Sequence, residues 1–326
     1  METAKFFNIY SYIILTIFVV SMSSNIIALS MIPNFKVGGK ISSTIAITFI
    51  QFGFNCIMAI YFALFKAELV GVEGYYVFHL VYWDSPNISY FILVIMTFFI
   101  YICYYYNLVL VALNTFVRYL HVTNTKIEFK HVVLICVISL IIVCIITTNS
   151  FYFGLVPDAD PHAFYKNLLE NNITDVFTDA TSQTVAFDFA GKYFFLIIGT
   201  FVCSYVLIIY SLTKYHTFMT KQTHGLSEQT KKMNNEFFKI LCIQALIPAV
   251  IEFLPIILYL SCVGLKIYEA NNMGTWCLII SSIIPSCNCI YFLVALSKSR
   301  NILKRRYVNL SNYLCGNKVT AIGSVS

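Results

Sequence analysis

Glu252 is the only acid inside any of the long apolar runs of this sequence, and it lies between two prolines, Pro248 and Pro255. A carboxylate in an apolar setting is costly, so it is usually paired, protonated or functional. On a helix, Leu241, Gln244, Pro248, Glu252, Pro255 and Tyr259 recur every three or four residues and share one stripe. Each proline removes a backbone donor, which frees the carbonyls of Gln244 and Ile251 four residues back. Two roles stand open for Glu252: contact with a bound ligand, or a neutral acid that hydrogen-bonds a freed carbonyl. Proline is also the commonest cause of a kink, and a kinked helix can swing one end while the other reads a ligand.

A second stripe has the same spacing. Tyr104, Asn107, Val111, Asn114 and Arg118 fall on one narrow helical face, and Tyr119 follows. Polar groups in hydrocarbon face the interior of a bundle, so this seam points inward. Arg118 reads either as a switch that reaches a neighbouring helix or a partner, or as the basic residue that ends a span. Tyr101, Tyr104 and Tyr105 lie deeper in the run and, with Glu252 and Tyr259, are candidates to line a ligand pocket. Catalytic patterns are missing. There is no H-E-x-x-H, no phosphate-binding glycine loop, no Cys-x-x-Cys in a loop and no pair of embedded acids. Neither an enzyme, nor a metal site, nor a cofactor is called for.

The elements that must position these residues are membrane helices. Of 326 residues, 59% are hydrophobic and 11% charged, against about a quarter charged in soluble domains. The apolar runs are continuous rather than alternating, which selects helices over a β-barrel. Seven runs meet the bilayer-spanning requirement of about 20 residues. They lie near 7–32, 41–65, 88–117, 132–153, 189–213, 237–262 and 275–297. The expected fold is therefore an all-α seven-transmembrane bundle over residues 1–297, with a tail over 298–326. The first run is too long for a signal-peptide core and lacks a small-x-small cleavage pattern, so it reads as a retained helix.

Charge sets the orientation. Lys36, Lys40, Arg118, Lys126, Lys130, Lys214, Lys221, Lys231, Lys232 and the tail cations, from Lys298 to Lys318, fall on one side. The other side holds only Lys5, Lys66, Lys166, Lys192 and Lys266. By the positive-inside rule the N-terminus is outside and the tail cytoplasmic. The net charge of +6 is thus a topology signal and not a nucleic-acid footprint. The long outside connection 154–188 is acidic and carries the sequon at Asn172; a second sequon, Asn87, precedes the third run. The inside connection 214–236 is the other long one.

Tyr75, Tyr76, Tyr82 and Trp83 before the third run read as an interfacial belt. In the tail, Ile302, Leu303, Tyr307, Leu310 and Leu314 alternate with basic residues, the pattern of an interfacial helix drawn to anionic membrane lipid. Cys315 follows, either a palmitoylation site or an ordinary free thiol. Most of the eleven cysteines sit in apolar runs as small packing residues. Cys262 and Cys277 bracket the last outside loop, a placement open to pairing.

Several segments resemble the nematode serpentine chemoreceptors of the str-like superfamily. Ser227-Glu-Gln-Thr-Lys, Phe238-Lys-Ile-Leu-Cys-Ile-Gln244, Pro248 and Pro255 are similar to that family's third inner loop and sixth helix. Asn114-Thr-Phe-Val-Arg118-Tyr119 is similar to its third-helix ending, and Ile280–Asn288 with Tyr291, Phe292 and Arg300 to its seventh helix. The resemblance implies a receptor for an odorant or soluble chemical in the plasma membrane of a sensory neuron, coupled to a heterotrimeric G protein. It places Arg118 at the G protein and the ligand among helices three, five, six and seven. Asn114, Tyr119, Gln244, Pro248, Pro255 and Asn288 join Arg118 as coupling and switch residues. Cys289 departs from the pattern, standing where proline is usual, which weakens the hinge expected there. Helix two lacks a buried Asp, so no intramembrane sodium site is expected. The alternative is a seven-helix ligand-gated channel, for which helix seven offers only Ser281, Ser282, Ser286 and Asn288.

Overall fold

The computed structural model describes residues 2–37, 39–72, 75–80, 89–123, 127–155, 184–188, 192–221, 227–265, 267 and 273–314. Seven helices among them are long and apolar enough to cross a bilayer. The first five spans are α1 (Glu2–Leu29), α2 (Ser43–Phe65), α3 (Tyr90–Val122), α4 (Phe129–Gly154) and α5 (Lys192–Lys221). The sixth is composite: α6 (Glu228–Pro248), a π-helical segment (Ala249–Phe253) and α7 (Leu254–Gly264). The seventh is also broken, into α8 (Met273–Ser281) and α9 (Ile284–Ala295), and α10 (Ser297–Leu314) follows as the tail helix.

The break in the sixth span has an identifiable cause. Pro248 closes α6 and Pro255 opens α7, and the residues between them shift to π pairing, with the Leu254 N–H donating to the Ala249 carbonyl five residues back. Such single-turn π segments recur at functional sites. In the seventh span a turn at Ser282 and Ile283 precedes Pro285 at the start of α9. The expected hinge position, Cys289, lies inside a helix; the discontinuity stands about two turns earlier, just ahead of Pro285.

Helix α3 is the axis of the bundle and packs against α2, α4, α5 and α6. Helix α4 is peripheral: Leu134, Val137, Ile138, Ile141, Ile142 and Ile145 are exposed along it, an apolar face that only lipid would cover. At one end of the bundle lies a three-stranded antiparallel sheet, β3 (Ala67–Val72), β4 (Tyr75–Leu80) and β5 (Thr184–Asp188), in the order β3-β4-β5. Lys66, at φ 33°, ends α2 in the left-handed conformation and turns the chain into β3. At the other end β1 (Lys36–Val37) and β2 (Lys40–Ile41) form a small hairpin beside α10 and the ends of α3 and α6. We call these the sheet end and the tail end.

Three features differ from the sequence expectation. Much of the connection 214–236 is helical, because α5 runs on to Lys221 and α6 begins at Glu228. The connection 154–188 ends in strand β5, whose partners lie more than 100 residues away in β4. Cys262 and Cys277 are both free thiols, so the pairing open to them does not form.

Candidate functional site

At the sheet end, strand β3 lies against the start of the seventh span. Thr275 Oγ1 accepts from the Leu69 N–H at 3.2 Å and donates to the Leu69 carbonyl at 3.4 Å. Tyr10 Oη of the first span donates to the Ala67 carbonyl at 2.9 Å. This close approach requires glycine. A Cβ on Gly274 would meet the Leu69 carbonyl oxygen at 2.3 Å and Tyr259 Cζ at 2.7 Å; one on Gly71 would meet Val263 Cγ2 at 2.3 Å and Tyr259 Oη at 3.1 Å. Two glycines thus make the slot in which the fully buried Tyr259 sits.

Beneath the sheet is a cavity of about 70 Å³, roughly the share of two water molecules. Tyr101, Tyr104 and Tyr105 of α3 and Tyr259 of α7 line it together with Phe78 and Phe201. Edge-on aromatic contacts of this kind contribute about 0.5–1.5 kcal/mol each beyond area burial. Tyr101 has Phe151 at 5.3 Å, Phe78 at 5.6 Å and Phe187 at 5.7 Å between ring centroids. Tyr105 meets Phe201 at 6.1 Å, and Phe201 lies 5.1 Å from Phe253, the last residue of the π segment. The aromatic walls therefore run without a gap from the sheet to the break in the sixth span. Tyr259 Oη, held in the slot beside Gly71, is buried with no hydrogen-bond partner among the described residues.

Toward the tail end the core turns polar. Asn25 and Asn55 donate to the Pro285 carbonyl at 3.2 and 3.4 Å, and so tie the first and second spans to the broken seventh. One layer further, Asn114 Nδ2 donates to Gln244 Oε1 at 3.5 Å, Thr48 Oγ1 donates to Asn114 Oδ1 at 3.4 Å, and Arg118 donates to Thr48 Oγ1 at 3.5 Å. These lengths are at the outer limit for hydrogen bonds. Arg118 is only 6% exposed, and its guanidinium carbon stands 4.0 Å over the Phe237 ring of α6. No carboxylate pairs with it among the described residues. Glu236, a carboxylate at this end, is used otherwise. It accepts from the Ser297 hydroxyl at 2.6 Å and from the Ser297 N–H at 3.1 Å, capping the first turn of α10 from the sixth span.

The sequence-predicted residues thus divide into two groups. Tyr101, Tyr104, Tyr105 and Tyr259 meet around one cavity, and Asn114, Arg118 and Gln244 meet in one seam. Pro248 and Pro255 flank the π segment. Tyr119 packs instead toward Tyr210, at 6.2 Å, and Asn288 is fully buried but hydrogen-bonds neither Asn114 nor Gln244. Asn87, Asn172, Cys315, Tyr82 and Trp83 lie outside the described residues, as do the side chains of Glu252, Tyr75 and Tyr76. Sequence reasoning missed Leu69, Phe78, Phe201, Gly71, Gly274 and the cap made by Glu236.

Seven bilayer-length helices around a central third span, with a buried arginine at the foot of that span, define a seven-span helical membrane protein. More narrowly, the model of the serpentine type 7TM GPCR chemoreceptor Str family matches residues 10–304, and the chain belongs to that family. It is a family of receptors, not enzymes. No curated protein matches the chain.

Proposed function

We propose that the chain is a chemosensory receptor of the plasma membrane, in sensory cilia, with its N-terminus outside and its tail in the cytoplasm. A small, largely apolar odorant enters the cavity under the sheet and contacts Tyr101, Tyr104, Tyr105 and Tyr259. The observation that carries this reading is the cavity's lining, six aromatic residues set among five aliphatic ones, which continues through Phe201 to the π segment of the sixth span. At about 70 Å³ the space is far below the few hundred Å³ of typical ligand sites. The ligand therefore binds better to a widened arrangement, and that difference in affinity shifts the population.

Widening against Phe201 and Phe253 displaces the π segment, and α6 swings at the tail end. The swing breaks the long Asn114–Gln244 contact, uncovers Arg118 from Phe237 and opens a surface to a heterotrimeric G protein. Tyr119, Pro248, Pro255 and Asn288 belong to the moving parts. Glu252, beside the hinge, either contacts ligand or hydrogen-bonds a carbonyl there. Residues 1–297 form the receptor domain and 298–326 the cytoplasmic tail, with glycosylation at Asn172 and Asn87, palmitoylation at Cys315 and bilayer lipid around the spans.

Expression in a heterologous cell with a chemical panel and a G-protein-dissociation readout tests this. An agonist found there should lose potency with Tyr104→Phe or Tyr259→Phe while surface expression holds. Ligand-evoked currents that survive G-protein inhibition would replace the reading with the channel alternative.

A further inference from the structure

A second and much larger cavity, about 1000 Å³, lies at the tail end between the sixth span, the β1–β2 hairpin region and α10. Five of its lining residues are basic: Arg118, Lys232, Lys298, Arg305 and Arg306. Glu236 is the one acid among them, and both its hydrogen bonds go to Ser297. Arg118 forms part of the inner wall of the cavity, largely covered by Phe237. Such a concentration of like charge is self-repelling when empty and attractive to a polyanion.

The tail helix fixes where that polyanion comes from. Ile302 and Leu303 pack half-buried against Phe35, Phe292 and their neighbours, whereas Tyr307, Val308 and Leu310 are exposed apolar residues among Lys304, Arg305 and Arg306. A helix with exposed apolar and basic residues of this kind lies in the headgroup layer. Its cations then stand at the depth of lipid phosphates, with the cavity opening beside them. Basic pockets between spans at this depth suit phosphoinositide-like headgroups.

We infer that this cavity is a binding site for a multiply phosphorylated lipid headgroup, held by Lys298 and Arg305 of α10, Lys232 of α6 and Arg118 behind them. Several cations around one opening match a headgroup with more than one phosphate better than a singly charged one. Because the cations come from both α6 and α10, the bound headgroup bridges the two elements that the Glu236–Ser297 contact already joins. It therefore favours the arrangement described here over one with α6 displaced. The inference rests on the cytoplasmic placement of the tail proposed above.

The test uses the full-length receptor in phosphatidylcholine nanodiscs containing phosphatidylinositol 4,5-bisphosphate, with lipid binding read by native mass spectrometry. Saturable binding is expected, with roughly a tenfold or greater loss in the double variant K298Q/R305Q at about 1 kcal/mol per cation. The variant K214Q, on α5 outside the cavity, should bind as the parent does. Equal binding of phosphatidylserine at matched total charge, or an equal loss in K214Q, would reduce the site to surface charge and overturn the inference. So would equally tight binding of soluble inositol trisphosphate, which would make the ligand a free phosphate. Capture of a G-protein α-subunit carboxy-terminal peptide by these residues without any lipid binding would assign the cavity to a protein partner instead. Nanodiscs expose both faces, so binding is measured whichever way the tail points. A tail epitope accessible on unpermeabilised cells would sink the orientation alone.

Discussion

The two ends of the bundle are held by different forces. At the sheet end, aromatic rings meet at centroid distances of 4.9–6.1 Å around Phe187, and glycine brings backbone within contact of Tyr259. Close packing of this sort has discrete arrangements and transmits displacement. At the tail end, neutral amides and hydroxyls meet at 3.4–3.5 Å, and a buried arginine rests on a phenylalanine ring with no carboxylate paired to it among the described residues. Such contacts contribute little net stability and are easily exchanged. In the mechanism proposed above, the sheet end senses displacement and the tail end gives way. Between them stands the π segment, to which Phe201 and Tyr205 are attached through Phe253.

Substitutions at the two ends should separate signalling from stability. The largest effect is expected from Arg118→Leu. It should reduce receptor-stimulated nucleotide exchange to background, while thermal stability in detergent holds or rises, because an unpaired buried charge is replaced by an apolar side chain. A fall in stability with exchange retained would reverse the roles assigned to the two ends. Gly274→Val should do the opposite, costing about 1–3 kcal/mol as the added atoms force β3 away from α8, and with it the agonist response. Thermal unfolding and agonist titration of the same preparation check this. The smallest effect is expected from Glu236→Gln. Losing the charged cap on α10 should cost about 0.3–1 kcal/mol and raise agonist-independent exchange, since the sixth span is released from the tail helix. Unchanged basal exchange would mean that the contact does not restrain α6.

The spans were legible because a bilayer imposes a minimum apolar length on each crossing, and continuous runs satisfy it visibly. The inward stripes on the third and sixth spans were legible for the same reason: embedded polar groups have only one direction to face. Tyr104, Asn114, Arg118 and Gln244 follow directly from that constraint. The sheet was not legible. Its β4–β5 pairing joins Tyr75 to Asp188 and His79 to Thr184, and no local pattern announces a partner more than 100 residues away. The tyrosines before the third span were read as a belt, whereas Tyr75 and Tyr76 belong to strand β4. Pro248 and Pro255 announced a broken helix, but their spacing does not announce the π pairing between them. The Glu236 cap was hidden because a carboxylate at a helix start reads as an ordinary surface charge until Ser297 is brought beside it.

The central claim is that α6 moves relative to the rest of the bundle about the π segment when the receptor engages a G protein. It is tested most directly by electron–electron resonance between spin labels at the exposed positions Asn235 on α6 and Lys130 on α4, on a background without other reactive thiols. Binding of nucleotide-free G protein should populate a longer distance that is absent in the receptor alone, and Glu236→Gln should populate it partly on its own. A receptor that catalyses nucleotide exchange with the Asn235–Lys130 distance unchanged would contradict the account.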